Sequence, residues 1–178
     1  MNNEITILCN SPQCLAEIST GGFGDLSEQN IFTCNMAYTF FRTNKRHLNI
    51  FSDSPLIESF FNTNDWYNNF GVLNYDLEFI FHLFHCKGIT IPKTHEHLKI
   101  KTSPDLSNNS SAINALIYLN ECENFDTINL VGYTLNEWEG IKGVNGLELK
   151  NEALDKVKEN YYIHKHPQRE FIWIYKRK

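Results

Sequence analysis

The chain has no apolar run long enough to span a bilayer, and its first residues lack the basic-then-apolar layout of a secretory leader. Positive charge is also short. The 16 Lys and Arg residues against 21 Asp and Glu leave a net charge of -5, which argues against a general nucleic-acid surface. The five cysteines are odd in number and follow no repeated spacing, so they fit reduced thiols rather than a disulfide framework. Together these absences lead us to expect a cytoplasmic protein. The Lys176-Arg177-Lys178 end reads as a solvated tail, permitting at most peripheral contact with the inner membrane. Three catalytic signatures are missing as well. There is no Gly-Lys-Ser/Thr phosphate loop, no Gly-x-Ser-x-Gly nucleophile elbow and no Asp-x-Asp run for a metal-held nucleotide diphosphate.

What is present is a chain of 178 residues, 42% hydrophobic, with no internal repeat and no clear linker. We therefore expect one domain over residues 1–178, of α/β class: a Rossmann-like fold with a mostly parallel sheet flanked by helices. Three short apolar runs each close on a small polar residue. Glu4 to Leu8 leads into Asn10-Ser11-Pro12, Asn30 to Cys34 into Asn35, and His47 to Phe51 into Ser52-Asp53. If the three strands are parallel, these ends share one edge of the sheet, where α/β folds bind their ligands. Gly21-Gly22-Phe23-Gly24 reads as a turn, because a dinucleotide loop would follow the first strand directly and open a helix.

Helices are expected over Cys14–Ile18, Leu56–Phe61, Ala112–Asn120 (N-capped by Ser110 or Ser111) and Leu147–Tyr162. Residues 76–84 fit a buried helix or a strand. His95, Leu98 and Ile100 suggest an edge strand, Thr127–Gly132 a strand, and Phe171–Tyr175 a closing strand. Residues 136–146 read as a loop with the composition of a lid. The serines before the 112–120 helix offer hydroxyls beside free N–H groups, the makings of a phosphate site.

Histidines supply two chemical readings. His82, His85 and Cys86 with His95 and His97 match no zinc template, so no metal site is expected. His164 and His166 lie in Tyr161-Tyr162-Ile163-His164-Lys165-His166, where a histidine can take a proton near neutral pH.

The order of these motifs resembles the bacterial lipooligosaccharide sialyltransferases. That family's strand ends Gly-Asn-Gly-Pro-Ser, Arg-Cys-Asn and Asn-Pro-Ser are similar to Cys9-Asn10-Ser11-Pro12-Gln13, Thr33-Cys34-Asn35 and Ser52-Asp53-Ser54-Pro55. Its Thr-Ser-Gly loop, helix, strand and Ser-Gly-Ile-Asp-Phe-Tyr are similar to Ser110-Ser111-Ala112 and Val131-Gly132-Tyr133-Thr134-Leu135-Asn136. The resemblance covers about two-thirds of the chain, in short separate motifs. It implies a metal-independent glycosyltransferase without cofactor, moving sialic acid from CMP-sialic acid to a glycan acceptor by direct displacement. By it, Asn10, Ser11, Asn35, Ser52, Asp53, Ser110, Ser111, Thr134 and Asn136 would meet the nucleotide sugar, and His166 or His164 would be the base. Thr134 and Asn136 stand where the family has Asp and Tyr; Tyr133, Trp138 or Tyr161 are the candidates to replace that tyrosine. A second alignment equates Leu147–Tyr162 with the helix after the family's histidine, and then no histidine matches. Two rival readings are a binding or scaffold protein of the same fold and a pterin pyrophosphokinase-like enzyme needing Mg²⁺. A homo-oligomer is left open.

Overall fold

The computed structural model describes residues 3–21, 23–62, 77–82, 88–103, 110–133 and 152–178. The first β-branched run forms β1 (Glu4–Leu8). Ser11 then caps α1 (Pro12–Ser19): its hydroxyl accepts from the Cys14 N–H, and Pro12 occupies the first turn, where no N–H is needed. The strands β2 (Asn30–Cys34) and β3 (His47–Phe51) follow, then α2 (Ser54–Asn62), β4 (Leu77–His82) and β5 (Lys99–Ser103). After these come α3 (Ser111–Cys122), β6 (Thr127–Val131), α4 (Glu152–Asn160), β7 (Tyr161–Lys165) and β8 (Ile172–Arg177).

All eight strands join one sheet in the order β5-β4-β3-β2-β1-β6-β8-β7. Pairing is parallel from β5 through β6, and β8 runs antiparallel to both β6 and β7. The chain moves outward from β1 to β5 and then returns, through α3, to place β6 on the other side of β1. That reversal opens a crevice at the carboxyl ends of β1 and β6.

Register assigns each face its cover. Ile7, Phe32 and Leu48 lie side by side on one face, and α3 covers them, with Tyr118 edge-on to Phe32 at 5.8 Å. Thr33, Asn49 and Phe79 align on the opposite face. There Phe51 stacks on Phe79 and Phe81, and α2 packs Phe60 and Phe61 against them. The helix α4 lies beside α3, where Asn160 Nδ2 donates to Asn120 Oδ1 at 2.9 Å. Among the described residues no helix is long and apolar enough to cross a membrane, and Cys9, Cys14, Cys34 and Cys122 are all reduced.

Three sequence expectations change, and one alternative left open is resolved. The helix expected over Leu147–Tyr162 ends at Asn160, and Tyr161 opens β7, because Tyr-Tyr-Ile suits a pleated edge better than a helix terminus. Residues 147–151 lie outside the described residues. His95 belongs to a 3₁₀ turn rather than to the edge strand, which is β5 alone; it is fully buried against Phe60 and Phe61. Arg177 is no solvated tail. It continues β8, donating to the Phe125 carbonyl at 3.1 Å and to the Tyr161 hydroxyl at 2.7 Å. Of residues 76–84, those from Leu77 to His82 form the strand β4.

Candidate functional site

The carboxyl ends of β1, β2 and β6 surround a cavity of about 470 Å³, within the range that small-molecule sites occupy. Asn10, Ser11 and Gln13 line it from the β1–α1 turn, Asn35 from the end of β2, Ser110, Ser111 and Ala112 from the start of α3, and Tyr133 from beyond β6. Cys9, Cys34 and Gly132 complete the wall. Among the described residues no Lys, Arg, His, Asp or Glu lines it, and the donors those residues offer are neutral.

Each wall residue has a local cause. Asn35 leaves β2 at a φ of 51°, a left-handed conformation that Asn tolerates better than other side chains, and this turns the chain back over the strand end. Its Nδ2 donates to Ser111 Oγ at 2.9 Å, tying β2 to the first turn of α3. Ser52 Oγ, at the end of β3, reaches the same Ser111 hydroxyl at 2.5 Å. Ser110 is the N-cap of α3: its hydroxyl accepts from the Ile113 N–H and donates to the Tyr133 hydroxyl at 3.3 Å. Ser11 performs the same task at α1 while donating to the Gly132 carbonyl at 2.8 Å. Gly132 has a φ of 85° and packs so tightly on α1 that an added Cβ would lie 2.7 Å from Cys14 N and Cα. Burial pushes the Cys14 thiol up, with neighbouring Cys9 adding to the shift, so it stays protonated at neutral pH.

Two helix N-termini, of α1 and α3, thus reach one cavity. Each brings first-turn N–H groups that have no acceptor within its helix, together with the positive end of its dipole. With the hydroxyls and amides between them, they form a neutral cradle suited to an anion.

The sequence-derived residues divide into groups. Asn10, Ser11, Asn35, Ser110 and Ser111 come together around the cavity. Ser52 stands behind Ser111, and Asp53 is exposed at the head of α2, where its carbonyl accepts from Ile57; neither lines the cavity. Thr134, Asn136 and Trp138 lie outside the described residues, as do the expected lid, His85 and Cys86. Gly21 and Gly24 sit between α1 and β2, at the opposite edge of the sheet. Tyr161 cannot replace a cavity tyrosine, since its hydroxyl is buried at the far edge and donates to the Phe125 carbonyl. Tyr133, by contrast, is in the wall.

His164 and His166 share the cavity's rim but not its lining. They belong to the β7–β8 hairpin, three strand spacings from β1, on the order of 14 Å at ~4.8 Å per strand. His164 is exposed on β7. His166 Nδ1 accepts from the Gln168 N–H at 3.1 Å, so the neutral ring carries its proton on Nε2 and presents a donor. The hairpin is tied to α1 through Glu17, which accepts from Arg169 Nη1 at 3.3 Å and from the Phe171 N–H at 3.4 Å. Among the described residues no cluster of three His, Cys, Asp or Glu side chains is arranged to hold a metal.

Cys9, Gln13, Cys34, Ala112 and Gly132 are the described wall residues that sequence reasoning did not name as site residues. The signal was there for the two thiols, which adjoin the asparagines at matching strand ends. Comparison with protein-family models, with curated proteins and with solved structures gives no match for this chain.

Proposed function

We propose that the chain is a sialyltransferase-like glycosyltransferase on a Rossmann-like fold, with a CMP-activated sugar held in the cavity at the ends of β1, β2 and β6. One observation carries the reading: two helix N-termini and a ring of neutral donors meet where the sheet reverses direction. In a direct displacement, the acceptor hydroxyl gives up its proton and attacks the anomeric carbon. The bond from that carbon to the phosphate oxygen then breaks, and CMP departs with the electron pair. Ser110, Ser111 and the N–H groups of α3 would meet the charge growing on the phosphate, aided by the Tyr133 hydroxyl. His164, exposed on the same rim, is the better base, because His166 presents an N–H and suits a donor role.

A second reading is a nucleotide-binding protein without transfer chemistry; in its favour, among the described residues no histidine or carboxylate lines the cavity. The test is a thermal-shift series on the full chain with CMP, CMP-sialic acid, UDP-sugars and ATP, with and without Mg²⁺, followed by a transfer assay. Stabilisation by CMP and CMP-sialic acid without metal, together with sugar transfer, is the expected result. Stabilisation without transfer selects the binding protein. A shift seen only with ATP and Mg²⁺ selects the pyrophosphokinase-like rival, and no shift with any nucleotide overturns the proposal.

A further inference from the structure

We propose that Cys9 and Cys34 form a redox-convertible dithiol on the cavity wall, and that their oxidation to a disulfide weakens ligand binding there. The register of β1 with β2 pairs Ile7 with Phe32 and ends at Leu8 with Thr33; continued by one residue beyond the end of β1, it sets Cys9 opposite Cys34. Alternation within β2 places Cys34 on the face of Phe32, which Ile7 shares, and the same alternation carried one residue past β1 brings Cys9 to that face. Laterally paired residues of adjacent strands have Cα atoms about 4.8 Å apart, inside the ~4.4–6.8 Å that a disulfide spans. Both residues are buried from bulk solvent, at 7% and 2% exposure, yet both line the cavity, which gives a small reagent its route in. Cys14, on α1, is the competitor: its thiol bonds to the Cys9 backbone, and peptide mapping separates a Cys9–Cys14 bridge from the one proposed.

The oxidant is a small-molecule disulfide such as oxidised glutathione. One protein thiol loses its proton and attacks a sulfur of the oxidant, forming a mixed disulfide and releasing one glutathione thiolate. The second protein thiol, deprotonated in turn, attacks the mixed disulfide. The Cys9–Cys34 bond forms and the second glutathione leaves, so two protein thiols are oxidised as one small disulfide becomes two thiols.

Closing this bond draws the Cβ atoms toward the ~3.8 Å of a disulfide, a movement of about 1 Å at the ends of β1 and β2. Asn10 and Asn35 are the residues that follow these cysteines in the chain. The movement therefore displaces both asparagines relative to α3 and strains the Asn35–Ser111 hydrogen bond. Losing one charge-assisted hydrogen bond to a bound anion corresponds to roughly tenfold weaker binding.

The effect on ligand rests on the nucleotide reading above; the bridge itself does not. The full chain is treated with oxidised glutathione and mapped without reduction. Affinity for CMP is measured before oxidation, after it, and after dithiothreitol. We expect a Cys9–Cys34 cross-linked peptide, an affinity about tenfold lower, and recovery on reduction. In Cys34→Ser the affinity, whatever its reduced value, should no longer respond to the oxidant. Absence of the cross-linked peptide, or bridges only to Cys14, Cys86 or Cys122, overturns the proposal. A mapped bridge with unchanged affinity overturns the coupling to ligand. If the reduced protein binds no nucleotide, the functional reading fails while the peptide map still decides the bridge.

Discussion

Gly132→Ala perturbs the joint between β6, α1 and the cavity at a single atom. The residue has a φ of 85°, and an alanine held there costs about 1–2 kcal/mol of backbone strain. The added Cβ would also lie 2.7 Å from Cys14 N and Cα, a separation that real Cβ atoms essentially never show. Those atoms belong to the capped first turn of α1, which is itself held to Gly132 by Ser11, so neither side yields cheaply. Overpacking of this kind adds about 1–3 kcal/mol, for a total of roughly 2–5 kcal/mol. At ~2–4 °C per kcal/mol for a chain of this size, the midpoint should fall by roughly 5–20 °C. Gly21→Ala is the control. Its φ is 70°, but nothing lies within 4 Å of the new Cβ, so it should lose only the strain, about 1–2 kcal/mol. Thermal and urea unfolding of both variants measure the difference. If Gly132→Ala is no more destabilising than Gly21→Ala, the tight contact between β6 and α1 is wrong, and with it the position of the Ser11 cap.

Three further predictions concern other parts of the molecule. His47, the first residue of β3, is fully buried, its Nε2 is 2.8 Å from Thr33 Oγ1 on β2, and burial first and Arg42 second hold its pKa down to about 3. The unfolded chain takes up that proton near pH 6.5 and the folded one does not, so stability falls as pH drops from about 6.5 toward 3. The slope is up to ~1.4 kcal/mol per pH unit; urea titrations should show it, and an unchanged slope in His47→Gln would refute the assignment. Arg46 donates to Glu123 at 2.7 and 2.9 Å and to Glu78 at 3.1 Å, bridging β3, β4 and the end of α3. With the arginine 35% exposed, Arg46→Met should cost about 1–3 kcal/mol, against under ~0.5 kcal/mol for Lys45→Met, whose pair with Glu28 is open to solvent. Equal losses would refute the bridging role. For transfer activity, His164→Ala should lose turnover by roughly a hundredfold or more with CMP affinity kept, and His166→Ala should lose less. Full activity in both variants removes the histidine base.

The part of the fold legible in the sequence is the part where strands stop abruptly. Each of β1, β2 and β3 is a short apolar run ended by Asn, Ser or Asp, and parallel pairing carries those ends to one rim. The cap of α3 was legible for the same reason, since Ser110-Ser111 precedes an unbroken apolar stretch. The β7–β8 hairpin was not. No Gly or Pro separates Asn160 from Tyr161, so the amphipathic period of α4 ran on into a strand. Nor could the sequence foretell Arg177, whose partners, the Phe125 carbonyl and the Tyr161 hydroxyl, lie 52 and 16 residues away. The buried Thr33, His47 and Asn49 are polar residues inside two apolar runs; only the register that sets Thr33 opposite Asn49 shows how the Thr33 hydroxyl comes to donate to Asn49 Oδ1 and to meet His47 Nε2. At the cavity, alternation alone could have added Cys9 and Cys34. Gln13 follows only once α1 is known to begin at Pro12.

The most direct test of the central claim is calorimetric titration of CMP, without divalent metal, into the wild-type chain and into Asn10→Ala and Asn35→Ala. The cavity account predicts saturable one-site binding that weakens by roughly tenfold in each variant as a polar contact is lost. Absence of saturable heat up to about 1 mM CMP, or equal affinity in all three proteins, would contradict it.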